Sequence, residues 1–247
     1  MKTSRVLALV ALVAAFALPN NSAAQETYTP FNVNASVKTM HLWRGYKVTD
    51  DFMSAVNAYY KTESGKLTVG LWNGQSLEGD YTEFDYYFSL VLTDGLSLSV
   101  WDINNFSSYP GADIFNYTND ETSHFVDATL AYQVNDVLGV SWSTILAGRD
   151  FHYDDNGDAK NSFSNYIEAN YTAYTNEDLS VGLKLGGAFA FANEAHFYGD
   201  DAFNIVNIGA NVSKKVTLFG QTLPIGATAM WNPEQKYGAM ELSFSLF

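Results

Sequence analysis

The sequence predicts an all-β transmembrane protein, an antiparallel up-and-down β-barrel of about 12 strands that follows a cleaved N-terminal signal peptide. Three observations predict it. Apolar residues recur with a period of two in segment after segment, tight turns alternate with long polar loops, and charge is confined to one parity of the strands. Thr82 to Trp101, TEFDYYFSLVLTDGLSLSVW, shows the pattern in full. Phe84, Tyr86, Phe88, Leu90 and Leu92 occupy one parity, and Glu83, Asp85, Tyr87 and Ser89 the other; Asp94-Gly95 then turns the chain and Leu96, Leu98 and Val100 resume the alternation. This is a β-hairpin with one apolar and one polar face.

At the N-terminus Lys2 and Arg5 precede an apolar run from Val6 to Leu18, and Ser22-Ala23-Ala24 forms a signal-peptidase site. The run is too short to cross the membrane as a helix, which takes roughly 20 residues, so residues 1–24 are expected to be a signal peptide. A single barrel domain is expected over 25–247, starting at Gln25. There is no cysteine, and therefore no disulfide and no thiolate ligand. Removing Lys2 and Arg5 from the 13 basic residues leaves 11 against 27 acidic ones, a formal charge of −16 that makes nucleic acid a poor partner.

Alternation places strands near 31–43, 53–62, 66–73, 82–93, 96–103, 122–134, 137–147, 162–174, 179–191, 203–213, 222–231 and 238–247. Tight connections such as Glu63-Ser64-Gly65, Asp94-Gly95 and Asn135-Asp136 alternate with long ones at 44–52, 74–81, 104–121, 148–161 and 192–202. Long loops at one end only are the habit of an outer-membrane barrel, with short turns in the periplasm. The apolar parity, for example Val56/Ala58/Tyr60, Leu96/Leu98/Val100 and Val206/Ile208/Ala210/Val212, reads as free of Asp, Glu, Lys and Arg. A basic residue on a lipid face at mid-membrane costs about 2–4 kcal/mol, so this parity is expected to face lipid. Trp43, Phe84, Phe189, Phe191 and Trp231 at the loop ends, with Phe31, Tyr60, Tyr132 and Phe247 at the turn ends, form two expected interfacial girdles. A soluble sandwich would share the charge-free parity but not the loop asymmetry.

The polar parity carries Lys38, Lys61, Glu83, Asp85, Asp127, Glu168, Lys184 and Glu241, and with Arg44 these are the expected pore-lining residues. Arg44 reads either as a selectivity residue facing Glu83 and Asp85 or as their structural partner. Tyr59, Trp72, Tyr87 and Trp101, joined on this parity by Phe125 and Tyr166, read either as a stacking track for a sugar or nucleoside ring or as filling for a narrow lumen.

Two motifs suggest other chemistry. His41 and His124 sit near loop ends with outward parity, where a rim phospholipase would keep a Ser-His pair, but no outward Ser has the required spacing. Asp154, Asn156 and Asp158 place oxygens at positions 1, 3 and 5 of a calcium-type loop, but Ala159 and Asn165 stand where Gly and Glu belong. No catalytic residue, metal ligand or cofactor is therefore assigned.

Leu42-Trp43-Arg44-Gly45, Gly70-Leu71-Trp72 and Glu83-Phe84-Asp85-Tyr86, spread over residues 40–90, resemble the TorF-type porins of Gram-negative outer membranes. The resemblance implies an outer-membrane barrel. The expected function is passive diffusion of small hydrophilic solutes with mild cation preference. A monomer surrounded by lipid and lipopolysaccharide is expected, with the 104–121 loop as a candidate plug. The alternatives are a non-conducting structural or adhesive barrel and a rim lipid hydrolase.

Overall fold

The computed structural model describes residues 28–108, 113–218 and 220–246. The expected signal peptide, Gln25, Tyr109-Pro110-Gly111 and Phe247 lie outside them. The strands are β1 (Phe31–Lys38), β2 (His41–Trp43), β3 (Tyr46–Thr49), β4 (Met53–Lys61), β5 (Leu67–Ser76), β6 (Thr82–Val91), β7 (Leu96–Asn104) and β8 (His124–Gln133). They continue as β9 (Leu138–Gly148), β10 (Phe151–Tyr153), β11 (Ala159–Asn161), β12 (Ser164–Thr175), β13 (Leu179–Ala190), β14 (Asn204–Leu218), β15 (Gln221–Asn232) and β16 (Tyr237–Ser245).

Twelve of these close a barrel in the order β1-β16-β15-β14-β13-β12-β9-β8-β7-β6-β5-β4, with β1 pairing β4. Every neighbouring pair is antiparallel, and closure leaves the spanning ladder without a long open edge. The seam is short, because β1 meets β16 only at Ser36↔Ser245, Val37↔Phe244 and Lys38↔Ser243. The Leu246 amide extends it by donating to the Ala35 carbonyl at 2.8 Å.

The apolar parity faces outward. Val69, Leu71, Leu130, Val140, Leu183, Leu185, Ile208 and Met240 are all exposed on the barrel wall. At the turn end Phe31 packs on Tyr60, with ring centroids 5.4 Å apart, and at the loop end Trp142 meets Phe191 edge-on at 6.4 Å. Such a surface is stable only against lipid, so the chain is an outer-membrane β-barrel.

Four expectations are corrected. The first strand does not run from 31 to 43. It ends at Lys38, and β2 and β3 form a separate hairpin, so Trp43 is in the lumen and not in the outer girdle. His41 turns inward with it and borders the same cavity. Val206 is fully buried on the inside, because the β13–β14 register shifts between Gly186 and Gly187 and reverses its side. The apolar parity does carry charge: Asp102, which pairs with the outward Tyr86, and Lys214, which pairs with Leu179 and Ile225 at the turn end of β14.

Asp102 is tolerated because it is covered. Its Oδ1 lies 2.7 Å from His124 Nδ1, and the Tyr117 hydroxyl donates to its Oδ2. The Tyr117 hydroxyl is also 2.6 Å from that of Tyr86. Residues 113–122 therefore lie over the outer rim of β6–β8, and this part of the 104–121 loop is not a plug. A buried carboxylate supplied with such donors avoids the cost of an unsatisfied charge.

Candidate functional site in the barrel lumen

The lumen is narrowed by the β2–β3 hairpin. Arg44 and Gly45 form its tip, both with left-handed backbone (φ 47° and 86°). Gly45 suits this conformation and also the space, since a Cβ there would lie 2.0 Å from the Val206 carbonyl oxygen. From the adjoining strands β15 and β16, Asn232 Nδ2 and the Tyr237 hydroxyl donate to the Gly45 carbonyl at 3.1 and 3.0 Å. The Tyr237 hydroxyl also accepts from the Lys47 amide at 2.9 Å.

Arg44 crosses the lumen to β8. Its Nη1 and Nη2 donate to Asp127 Oδ2 and Oδ1 at 2.6 and 2.8 Å, a bidentate pair. Nη1 also donates to the Tyr198 hydroxyl at 2.9 Å, and the guanidinium carbon lies 4.6 Å from the Trp43 ring centroid and 5.3 Å from that of Tyr166. Burial opposes this charge, but Tyr198 and Asp127 outweigh it and raise the guanidinium further above its ordinary pKa. Arg44 is thus the partner of Asp127, and not of Glu83 and Asp85 as its sequence position suggested.

Tyr198 comes from the 192–202 loop, which also folds inward. The ring is fully buried, stacked on Trp43 at 5.7 Å and beside Tyr166 at 5.6 Å. Phe197 follows it inward and packs on Phe125 at 5.3 Å. Neither residue stood out in the sequence, since a loop aromatic has no alternating neighbours to reveal its side.

The remaining charged residues distribute as follows. Lys38 pairs with Glu241 at 3.3 Å, and Glu241 Oε2 accepts from the Leu42 amide at 3.1 Å, which anchors the start of the hairpin. Glu83 and Asp85 are buried on β6, where Asp85 accepts from the Asn104 amide at 3.0 Å. Glu168 accepts from Asn170 at 3.0 Å, from Asn207 at 3.2 Å and from the Tyr166 hydroxyl. Lys184 lies along Gly209 on the inner wall, and Lys61 is exposed at the turn end of β4, away from the narrowing.

Lumen aromatics lie against the wall over glycines of the same or a neighbouring strand. A Cβ at Gly70 would meet the Tyr87 ring at 2.5 Å, one at Gly74 would meet Trp72 at 2.3 Å, and one at Gly186 would meet the Tyr166 hydroxyl at 2.1 Å. Trp101 stacks on Tyr87 at 4.0 Å and 11°, and Trp72 stacks on His41 at 5.6 Å. Tyr59 faces Gly70 lower on β4. The lumen is filled at its wall, yet cavities remain. One of about 270 Å³ is bordered by Trp72, Trp101, Glu83 and Asp85, among others; an adjoining one of about 290 Å³ reaches Lys47, Asn105 and Arg149. A third, of about 420 Å³, opens at the turn end around Ser97, Thr129 and Asn170.

His41, in the hairpin, is held low, at about 3, by burial and by nearby Lys38, and its buried Nδ1 has no hydrogen-bond partner among the described residues. His124 Nε2 is likewise buried without a partner among them, while Ser123 Oγ donates to Asn104 at 2.6 Å and not to the imidazole. In the 148–161 loop Asp154 Oδ1 accepts from the Asn156 and Asp158 amides at 2.9 and 3.0 Å, closing the turn between β10 and β11.

No family model matches the chain, and no curated protein matches it in sequence. Among solved structures it is similar to the NanC porin, with a TM-score of 0.49 and 8% identity over 87% of this chain and 98% of that one. The KdgM porin gives a TM-score of 0.45 and 7% identity over 86% and 95%. OccK9 of Pseudomonas aeruginosa gives 0.37 and 12% over 90% and 58%. The fold assignment rests on the closed strand ladder itself.

Proposed function

We propose that this chain is a monomeric porin-like channel that passes small hydrophilic solutes by diffusion through a lumen narrowed by the β2–β3 hairpin. The observation that carries this reading is the inside-out polarity of the barrel. Apart from Asp102 and Lys214, the charged strand residues named above and Arg44 lie on the inner parity or on the hairpin within the lumen, and cavities of about 270, 290 and 420 Å³ persist along it. The TorF-type resemblance supports the same reading, since its three segments supply the hairpin tip, the Trp72 wall and the Glu83/Asp85 pair. Outside, the barrel would be surrounded by lipid and lipopolysaccharide.

The expected cation preference is weak. Asp127 and Glu241 are already matched by Arg44 and Lys38. Most of the excess negative charge then sits on exposed loop residues such as Glu78, Asp80, Asp200 and Asp201. Charges at a wet mouth are screened over about 10 Å in 0.1 M salt and about 3 Å in 1 M, so the preference should fade with salt. Reversal potentials of the folded barrel in planar bilayers test this. Cation selectivity in dilute KCl that shrinks in concentrated KCl is expected, and anion selectivity would overturn it.

A second reading has its own observation. Tyr198 is fully buried and the hairpin is held from two walls, so the loop end is well filled. A structural barrel without conductance would show folded, heat-modifiable mobility on a gel and no current.

A further inference from the structure

The cavity bordered by Trp72 and Trp101 carries more acid than its own cations use. Lys38 is held by Glu241 and Arg44 by Asp127, whereas Glu83 and Asp85 lie together on one face of β6. Arg149 borders the adjoining cavity with Glu83, so in formal charge these four carboxylates outnumber the three cations by one. Strand register sets these carboxylates among rings: Trp72 is the cross-strand partner of Asp85, and Trp101 stands between Tyr87 and Asp127. Trp72 and Trp101 each give one face to a resident ring and both border the cavity.

The protein already shows what this lumen holds. The Arg44 guanidinium is gripped by a carboxylate pair of bonds and lies over two aromatic faces. Indole faces attract cations through their quadrupole, and desolvation strengthens the attraction. We propose that the cavity between Trp72, Trp101, Glu83 and Asp85 is a binding subsite for a small organic cation, an ammonium or guanidinium solute. At about 270 Å³ it lies just below the usual range of ligand pockets, roughly 300–1,000 Å³, which suits a single small solute and not an oligosaccharide. This inference rests on the channel reading for its role in permeation, although binding alone does not.

The test uses choline, with potassium as a cation of equal charge, and glucose and gluconate as neutral and anionic comparators. Tryptophan fluorescence of the folded barrel in micelles reads binding, and potassium current in planar bilayers reads block. Choline should give a saturable fluorescence change and reduce the current, while the comparators should not. Glu83→Gln/Asp85→Asn and, separately, Trp101→Leu should each weaken choline binding by about tenfold or more, with heat-modifiable mobility confirming the fold. No choline response up to about 100 mM, equal responses to glucose or gluconate, or unchanged affinity in both folded variants would overturn the subsite. A choline response lost in the variants but without current would keep the subsite and overturn the channel; current without a choline response would do the reverse.

Discussion

Breaking the Arg44–Asp127 bridge should release the hairpin. The pair is bidentate at 2.6 and 2.8 Å, and the two side chains are 14% and 2% exposed. Removing one partner from a buried pair leaves the other charge uncompensated and costs about 3–5 kcal/mol. Arg44→Met would leave Asp127 without its guanidinium, and Asp127→Asn would leave Arg44 with only the Tyr198 hydroxyl, Thr129 and two ring faces. A loss of about 3 kcal/mol shifts a docked-to-undocked ratio by roughly a hundredfold, enough to populate the released state even if docking is favoured by several kcal/mol. Either single variant should raise single-channel conductance or open probability and expose residues 39–50 to protease, with the barrel still heat-modifiable. The double variant Arg44→Met/Asp127→Leu should cost less than the sum of the single changes, because no charge is left buried. Unchanged conductance and unchanged protease resistance in both single variants would refute the view that this bridge holds the hairpin.

Other outcomes follow from the same geometry. Gly45→Ala places a Cβ into the Val206 carbonyl at a left-handed φ, so it should destabilise docking by more than about 1 kcal/mol and mimic Arg44→Met in the protease assay. His41 has a docked-state pKa of about 3, below the 6.5 of a free imidazole, so its contribution to docking is fully present above about pH 6.5 and is lost as pH falls toward 3. Conductance should therefore rise on acidification below 6.5, and His41→Leu should flatten that rise. Gly186→Val would force Tyr166 off the wall and away from Asn207 and Glu168; overpacking of this kind costs about 1–3 kcal/mol and should lower the temperature at which the barrel loses its folded gel mobility.

The sequence by itself determined the barrel. A period of two fixes which side of a strand each residue takes, and in a membrane the energetic gap between a charged and an apolar residue on the lipid side is large enough to be read directly from the chain. Phe84 to Leu92 outside and Glu83, Asp85 and Asp127 inside followed from that parity alone. Only the tertiary structure decided where periodicity stops. It turned His41 and Trp43 inward, because a left-handed tip at Arg44-Gly45 ends the alternation and long-range partners on β8, β14, β15 and β16 fix the hairpin. It flipped Val206 through a register shift and placed Asp102 beneath Tyr117 on the lipid side. It also chose Asp127 for Arg44 over the nearer-in-sequence Glu83 and Asp85. Pairing across a closed barrel depends on three-dimensional register and loop path, and neither is written in the local alternation of the chain.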